Sequence, residues 1–341
     1  MLPGVANAAP LPAPGGADLR GALRPFERPD VARSVAQLVV TGALFVGAWA
    51  LAWWSLRVSY ALTLLLCVPP ALLTVRLFIV QHDCGHGSFW PKAWMNDLCG
   101  SVLGILTLAP YHYWRRTHAI HHAHANNLDW RGELGYLKTL TTDEYRALPS
   151  LRQRAYRLYR NRFFLLGFGV PFQWAIKHRL PWDVPAAWRV EWVSVAWTNL
   201  GLAGVLTLAH ATIGIGDFLL VQAPITLVET AFGGWLFIVQ HTFAGARYTR
   251  DAEWDFERTA LEGSSWFDLP PLLAWFSGNI GLHQVHHLAA RIPNYRLREA
   301  LDAVPFLKTV PRISVTGGWD CGRYALFDEA AGRMVAFEDL R

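Results

Sequence analysis

Four apolar runs, almost free of charge, punctuate the chain at residues 35–56, 59–80, 190–212 and 217–240. A helix rises about 1.5 Å per residue, so each run is long enough to cross a hydrocarbon core of about 30 Å. The links within each pair are short: Arg57-Val58 in one, and residues 213–216 (Ile-Gly-Ile-Gly) in the other. The pattern predicts an all-α membrane protein whose four transmembrane helices form two hairpins. Two further apolar segments, 97–109 and 163–176, are too short to span. They are expected to lie in the membrane plane or re-enter it, capping a site.

The flanks divide the rest. Residues 1–34 open with a Pro/Ala/Gly-rich stretch and read as a disordered tail. Residues 35–310 form the integral-membrane domain, and 311–341 an extension with a hairpin around residues 329–332. Within the domain, 270–292 reads as one helix opened by Pro270-Pro271 and closed before Pro293, and 297–308 as another.

Composition fits this reading. Hydrophobic residues make up 52% and charged residues 17% of the 341, against about 25% charged in soluble proteins. Residues 1–34 carry four Arg, 81–188 carry 13 Lys and Arg, and 242–341 carry 11, whereas the two short links share a single Arg. The asymmetry predicts that both termini and the long middle segment are cytoplasmic, in a bacterial inner membrane. A net charge of +5 suits a protein lying against anionic lipid. Nucleic acid is a poor partner, because the basic residues are spread along membrane-flanking loops. Four cysteines without a CxxC argue against disulfides, iron–sulfur clusters and thiolate zinc sites.

The chemistry lies in histidine. The hexapeptide LFIVQH occurs at 77–82 and again at 236–241, each time where an apolar run stops. HDCGH supplies His82 and His86, HAIHH supplies His118, His121 and His122, and HQVHH supplies His283, His286 and His287. Steps of three and four place side chains on one helical face. With His241 the set numbers nine, too many for one metal and suited to two. A structural zinc site would use four, and HDCGH lacks the Glu of the zinc protease motif HExxH. The cap is therefore expected to carry a histidine-rich dimetal site, with iron matching the ligand number. Asp83, Asp97, Asn126, Asn127 and Asn279 are candidate orienters of the imidazoles, and Asn279 is a candidate holder of a metal-bound water. His112, His124, His178 and His210 fall off this pattern and are read as packing or surface residues. Glu229, inside the fourth run, is read as a buried glutamate between helices near Thr226, Thr230 or Trp197, with a role in substrate access as the alternative.

The three boxes resemble the membrane fatty acid desaturases. So do PYHYWRRTHAIHHAHANNLD, WLFIVQHTF, ALEGSSWFDLP and WFSGNIGLHQVHHLAARIPNYRL, which look like the Δ12 (omega-6) acyl-lipid branch. The resemblance covers about residues 35–335. It implies a non-haem diiron enzyme that uses O2 and two electrons to place a cis double bond in an acyl chain of a membrane lipid. It carries the iron-ligand role to His82, His86, His118, His121, His122, His241, His283, His286 and His287. Electrons are expected from an external ferredoxin or small cytochrome, docking on basic residues including Arg115, Arg116 and the Arg-rich stretch 152–162. Trp90, Trp114, Trp266 and Phe267 are candidate walls of an acyl tunnel. Two rival readings stand beside it. One is a histidine-box hydroxylase or ketolase acting on an alkane, sterol or carotenoid. The other is a metal transporter or sensor, which would place its ligands along a path through the bilayer.

Overall fold

The computed structural model describes residues 18–131 and 137–340. Most of these residues are helical. The elements that position the site are α1 (Leu19–Leu23), α2 (Val31–Ser55), α3 (Tyr60–Gly85), α4 (Ala93–Leu106), α5 (Tyr111–Ala123), α6 (Arg189–Thr212), α7 (Ile215–His241), α8 (Pro271–Phe276) and α9 (His283–Leu288).

Four of them, α2, α3, α6 and α7, are long and apolar enough to cross a membrane. Local signals set their ends. Asp30 caps α2 by accepting from Arg33 N at 3.1 Å, and Ser59 caps α3 by accepting from Leu62 N at 3.1 Å, the arrangement that satisfies otherwise orphaned N–H groups. Gly214, at φ 86, turns the chain from α6 into α7, a conformation that disfavours any residue with a Cβ. α3 is interrupted at Cys67, just ahead of Pro69 and Pro70.

α3 is the central helix. It packs against α2, α4, α7 and α8, and 61% of its apolar window is buried, against 17–22% for the other three. The remaining faces of α2, α6 and α7 present Val39, Val46, Val193, Leu200 and Leu219 outward, the surface a lipid phase covers. Arg76 of α3 is a polar clasp inside this assembly. Its Nε donates to Thr41 Oγ1 of α2 at 3.3 Å, its Nη1 donates to Trp275 O of α8, and its guanidinium sits 4.2 Å over the Trp275 ring. Glu229 of α7 is buried between helices, facing Thr74 of α3.

Several expectations change. The first 17 residues of the predicted tail lie outside the described residues, but 18–34 are structured. Asp18 caps α1 through Gly21 N at 2.7 Å, and Leu19 and Leu23 sit in the main hydrophobic core beside Leu261, Leu297 and Leu301. Two leucines spaced by one helical turn were enough to anchor a segment whose composition looked unstructured. Residues 270–292 are two helices, α8 and α9, because Gly278 (φ 56) and Asn279 (φ 57) both adopt left-handed backbone and break the run. Segment 162–177 is helical with two π turns, at Leu165–Gly169 and Gln173–Lys177, and packs on α7. α3 and α7 run on past the end of their apolar stretches, to Gly85 and His241, so His82 and His241 lie on helix.

The polar part adds little sheet. Strands β4 (Tyr324–Asp328) and β5 (Arg333–Ala336) pair antiparallel, β1 (Leu140–Thr141) joins β4 in parallel, and β2 (Trp266–Phe267) pairs with β3 (Arg312–Ile313).

Candidate metal centre

α3, α5, α7 and α9 converge and bring all nine predicted histidines together in two groups. One holds His82, His86, His118, His122 and His286. The other holds His121, His241, His283 and His287. Within each group the donor nitrogens lie within 4.8 Å of one another.

The sorting follows from helical pitch. In HAIHH the i and i+4 residues, His118 and His122, enter the first group, while His121 between them turns to the second. In HQVHH the i and i+4 residues, His283 and His287, enter the second group, while His286 turns to the first. Four residues advance about 400° around a helix and three about 300°, so the two directions diverge by about 100°.

The nitrogens that face inward are Nε2. His118 Nε2 lies 3.0 Å from His82 Nε2, 3.1 Å from His86 Nε2 and 3.1 Å from His122 Nε2, and His286 Nε2 lies 3.0 Å from His122 Nε2. In the second group His241 Nε2 lies 3.1 Å from His121 Nε2 and 2.9 Å from His283 Nε2, and His287 Nε2 lies 3.0 Å from His283 Nε2. Hydrogen bonds among imidazoles cannot satisfy such a set, because each contact allows one donor and His118 meets three partners. A shared cation does satisfy it. Ligands about 2.1 Å from one ion are separated by about 3.0 Å on an octahedral edge and about 3.4 Å on a tetrahedral one. The contacts have the size of ligand–ligand separations around one ion, and a group of five imidazoles exceeds the four ligands of structural zinc.

Electrostatics agree. Burial, reinforced by the neighbouring imidazoles, holds His86, His118, His121, His122, His283, His286 and His287 well below the ordinary histidine value. Neutral rings with lone pairs aimed at one point are metal donors.

The proton on Nδ1 needs an acceptor, which fixes ring orientation. His82 Nδ1 lies 3.4 Å from Asp83 Oδ1. Asp83 Oδ2 in turn accepts from Asn294 N at 2.7 Å and Asn294 Nδ2 at 2.8 Å. Gln37 of α2 pairs with the same amide, its Nε2 donating to Asn294 Oδ1 at 3.1 Å. His241 Nδ1 lies 3.3 Å from Gly263 O, which also accepts from Asn126 Nδ2 at 3.1 Å. Of the expected orienters, Asp83 therefore touches a histidine, and Asn126 acts through a shared carbonyl. Asp97 instead holds Tyr111 Oη and Arg115, and Asn127 holds Asp251. Asn279 stands in the break before α9, not one turn below His283 on a continuous helix. Gln37 and Asn294 were missed. A lone amide inside the first apolar run was the available signal for Gln37.

The LFIVQH repeat has a structural reading. Gln81 Nε2 donates to Ala109 O at 3.0 Å, and Gln81 Oε1 accepts from Thr107 Oγ1 at 2.5 Å. Gln240 Nε2 donates to Ile280 O at 3.1 Å. Each glutamine, one residue before its histidine, ties its helix to the chain just upstream of another histidine box. The phenylalanine four before each histidine lies toward the apolar side. Phe237 is 5.4 Å from His121 and 5.3 Å from His241, and Phe78 is 5.2 Å from Trp114. Trp114 stacks on His118 at 4.5 Å and passes so close to Gly85 that a Cβ there would sit 2.8 Å from its ring, which accounts for the glycine in HDCGH. Of the four proposed tunnel walls, Trp114 is the one in contact with the histidines. Trp90 packs beside Phe89, and Trp266 and Phe267 form β2. A recess bordered by Phe237, His121, His241, Arg131 and Tyr248 opens beside the second group.

The four remaining histidines stay outside both groups. His124 stacks on Trp130 at 3.8 Å, and His178 packs on Tyr113 and is pushed by burial down to about 3. His112 packs against Tyr111, and His210 is exposed.

Two groups of inward imidazoles at the ends of apolar helices define a membrane oxidoreductase of the histidine-box class. Residues 58–307 match the fatty acid desaturase family, and the chain belongs to it, an enzyme of the non-haem diiron desaturase class. It is 40% identical over 316 residues to a fatty acid desaturase of Bacillus subtilis, covering 93% of this chain and 89% of that one. It is 28% identical over 279 residues to an sn-1 oleoyl-lipid 12-desaturase of Synechocystis, covering 81% and 76%. It is 30% identical over 246 residues to an sn-1 acyl-lipid omega-3 desaturase (ferredoxin) of Nostoc, covering 67% and 63%.

Proposed function

We propose that this protein inserts a cis double bond at the Δ12 (omega-6) position of an acyl chain carried on a membrane lipid. The observation that supports metal-dependent desaturation is the division of nine histidines into groups of five and four with their donor nitrogens facing inward, and the Δ12 position is supported by the likeness to the 12-desaturase of Synechocystis. Two iron ions held there would supply the activation of O2 that an unactivated methylene requires. The residues of the first group and the residues of the second are the proposed ligands, with Asp83 orienting His82 and Gly263 O orienting His241.

The rest of the chain positions the substrate. α2, α3, α6 and α7 are proposed to span the inner membrane as two hairpins, with the histidines and both termini on the cytoplasmic side, as the Lys/Arg distribution favours. Phe78, Phe237 and Trp114 then form an apolar floor between bilayer and histidines. Such a floor would hold a methylene pair against the centre and exclude water, and orientation of this kind contributes several kcal/mol to a rate.

The electron donor is proposed to be a ferredoxin or small cytochrome, a ferredoxin being the donor in the name of the Nostoc relative. Arg152 and Arg154 are exposed and suited to an acidic donor, whereas Arg160 is buried on backbone carbonyls and Arg116 pairs with Glu191. The test is expression in a host rich in monounsaturated lipid, followed by fatty-acid analysis. New 9,12-dienes in the wild type, absent in His118→Ala and His286→Ala, support the assignment. Hydroxylated or oxo products would transfer it to the hydroxylase or ketolase reading.

A further inference from the structure

The recess that borders His121 and His241 has a polar lining, supplied by Asn127, Arg131, Thr242 and Tyr248. None of its described lining residues is Asp or Glu. Its volume is about 20 Å3, room for a water-sized ligand and far too little for a lipid headgroup or an acyl chain. Much of the polar lining is already satisfied. Tyr248 Oη donates to His241 O at 3.3 Å, Asn127 Nδ2 donates to Asp251 Oδ1 at 2.7 Å, and Asn127 Oδ1 accepts from Asp129 N at 2.9 Å. Arg131 is different. Its side chain is 12% exposed and its Nη2 donates to Glu144 Oε1, but its Nη1 is buried with no hydrogen-bond partner. Glu144 is itself fixed, its Oε2 accepting from Thr141 N at 2.9 Å. One arm of an anchored guanidinium is therefore left buried and unsatisfied beside the second group, a costly arrangement unless a ligand completes it.

Charge decides which ligand. A guanidinium N–H only donates, so the ligand must accept. The four imidazoles of the second group are aimed at a cation and bring it no negative charge. Asp83, the carboxylate found against a ligand, serves the first group. A guanidinium and a cation bordering one small space, with no carboxylate among its described walls, favour an anion over a neutral acceptor. We propose that the recess is a binding site for a small monovalent anion, held by Arg131 beside the second histidine group. Hydroxide fills it in water, and azide replaces hydroxide. This inference rests on the dimetal reading above and makes Arg131 the residue that sets the anion's affinity.

The experiment titrates azide into purified, iron-loaded protein and reads the dissociation constant by calorimetry, with iron content and a thermal melt measured on each sample. The wild type should bind azide. Arg131→Met removes a charged donor and should weaken binding about 10- to 100-fold, whereas Arg131→Lys should recover part of the loss. Glu144→Gln keeps the Nη1 arm and should bind azide at least as tightly as the wild type. Leu137→Trp fills the recess and should abolish binding with Arg131 intact. The exposed Arg152 serves as control, and Arg152→Met should bind as the wild type does. If Arg131→Met fails to fold, Arg131→Lys and Leu137→Trp carry the comparison. A wild type that holds two irons and binds no azide, or Arg131 and Leu137 variants that bind it as tightly as the wild type, overturns the proposal. A wild type holding fewer than two irons overturns the dimetal reading and this inference with it.

Discussion

His122 of the second histidine box stacks on His287 of the third, with ring centroids 4.2 Å apart and planes 19° from parallel. His122 belongs to the five-residue group and His287 to the four-residue group, so the stack is a seam between two candidate metal positions. Truncating either ring should disturb both positions. We expect His122→Ala and His287→Ala each to lose more activity than the 10- to 100-fold that removal of an outer partner of a ligand typically costs. Diene yield in cells expressing each variant checks this. Activity within tenfold of wild type would mean that the seam does not couple the positions.

The pairing of Asn294 with Asp83 predicts a graded effect. Asn294 gives Asp83 Oδ2 two short donors, and Asp83 faces His82. Asn294→Ala should weaken iron retention about 10- to 100-fold, measured by competition with a chelator. Gln37→Ala, one partner further out, should act in the same direction and less strongly. Unchanged retention in Asn294→Ala would show that Asp83 holds His82 unaided.

Gln81 and Gln240 are buried, and each satisfies a carbonyl that precedes a histidine box. Replacing either by leucine leaves a buried acceptor without a partner, at a cost of about 1–3 kcal/mol. The melting temperature in detergent should fall for both, and a melt equal to the wild type's would contradict the strapping role.

Acid should undo the centre. Seven histidines of the two groups, all outside the spanning helices, are held below 6.5, as are His112 and His178. An unfolded chain therefore takes up more protons than the folded one as pH drops through 6.5, so stability is full above that value and lost below it. Protonation also competes with metal binding. Metal-free protein should melt at a constant temperature near neutral pH and at falling temperatures below about 6.5. Stabilisation on acidification would contradict the neutral, buried assignment.

Much of this was legible in the chain because it depended on local periodicity. The four apolar helices are visible as runs, and HAIHH and HQVHH declare their faces through steps of three and four. What escaped depended on distant contacts or on backbone conformation. Asn294 meets Asp83 across 211 residues, and Gln37 meets Asn294 across 257. Neither pairing leaves a mark in the sequence near the boxes. The break at Gly278-Asn279 needed a left-handed asparagine that periodicity does not announce. Leu19 and Leu23 were hidden by the Pro/Ala/Gly-rich stretch before them.

The most direct test is X-ray absorption on the purified protein, with metal content measured on the same sample. The account predicts two irons per chain in nitrogen-rich, six-coordinate surroundings with iron–nitrogen distances of about 2.1 Å. A single metal, or tetrahedral zinc, in protein that still desaturates lipid would contradict it.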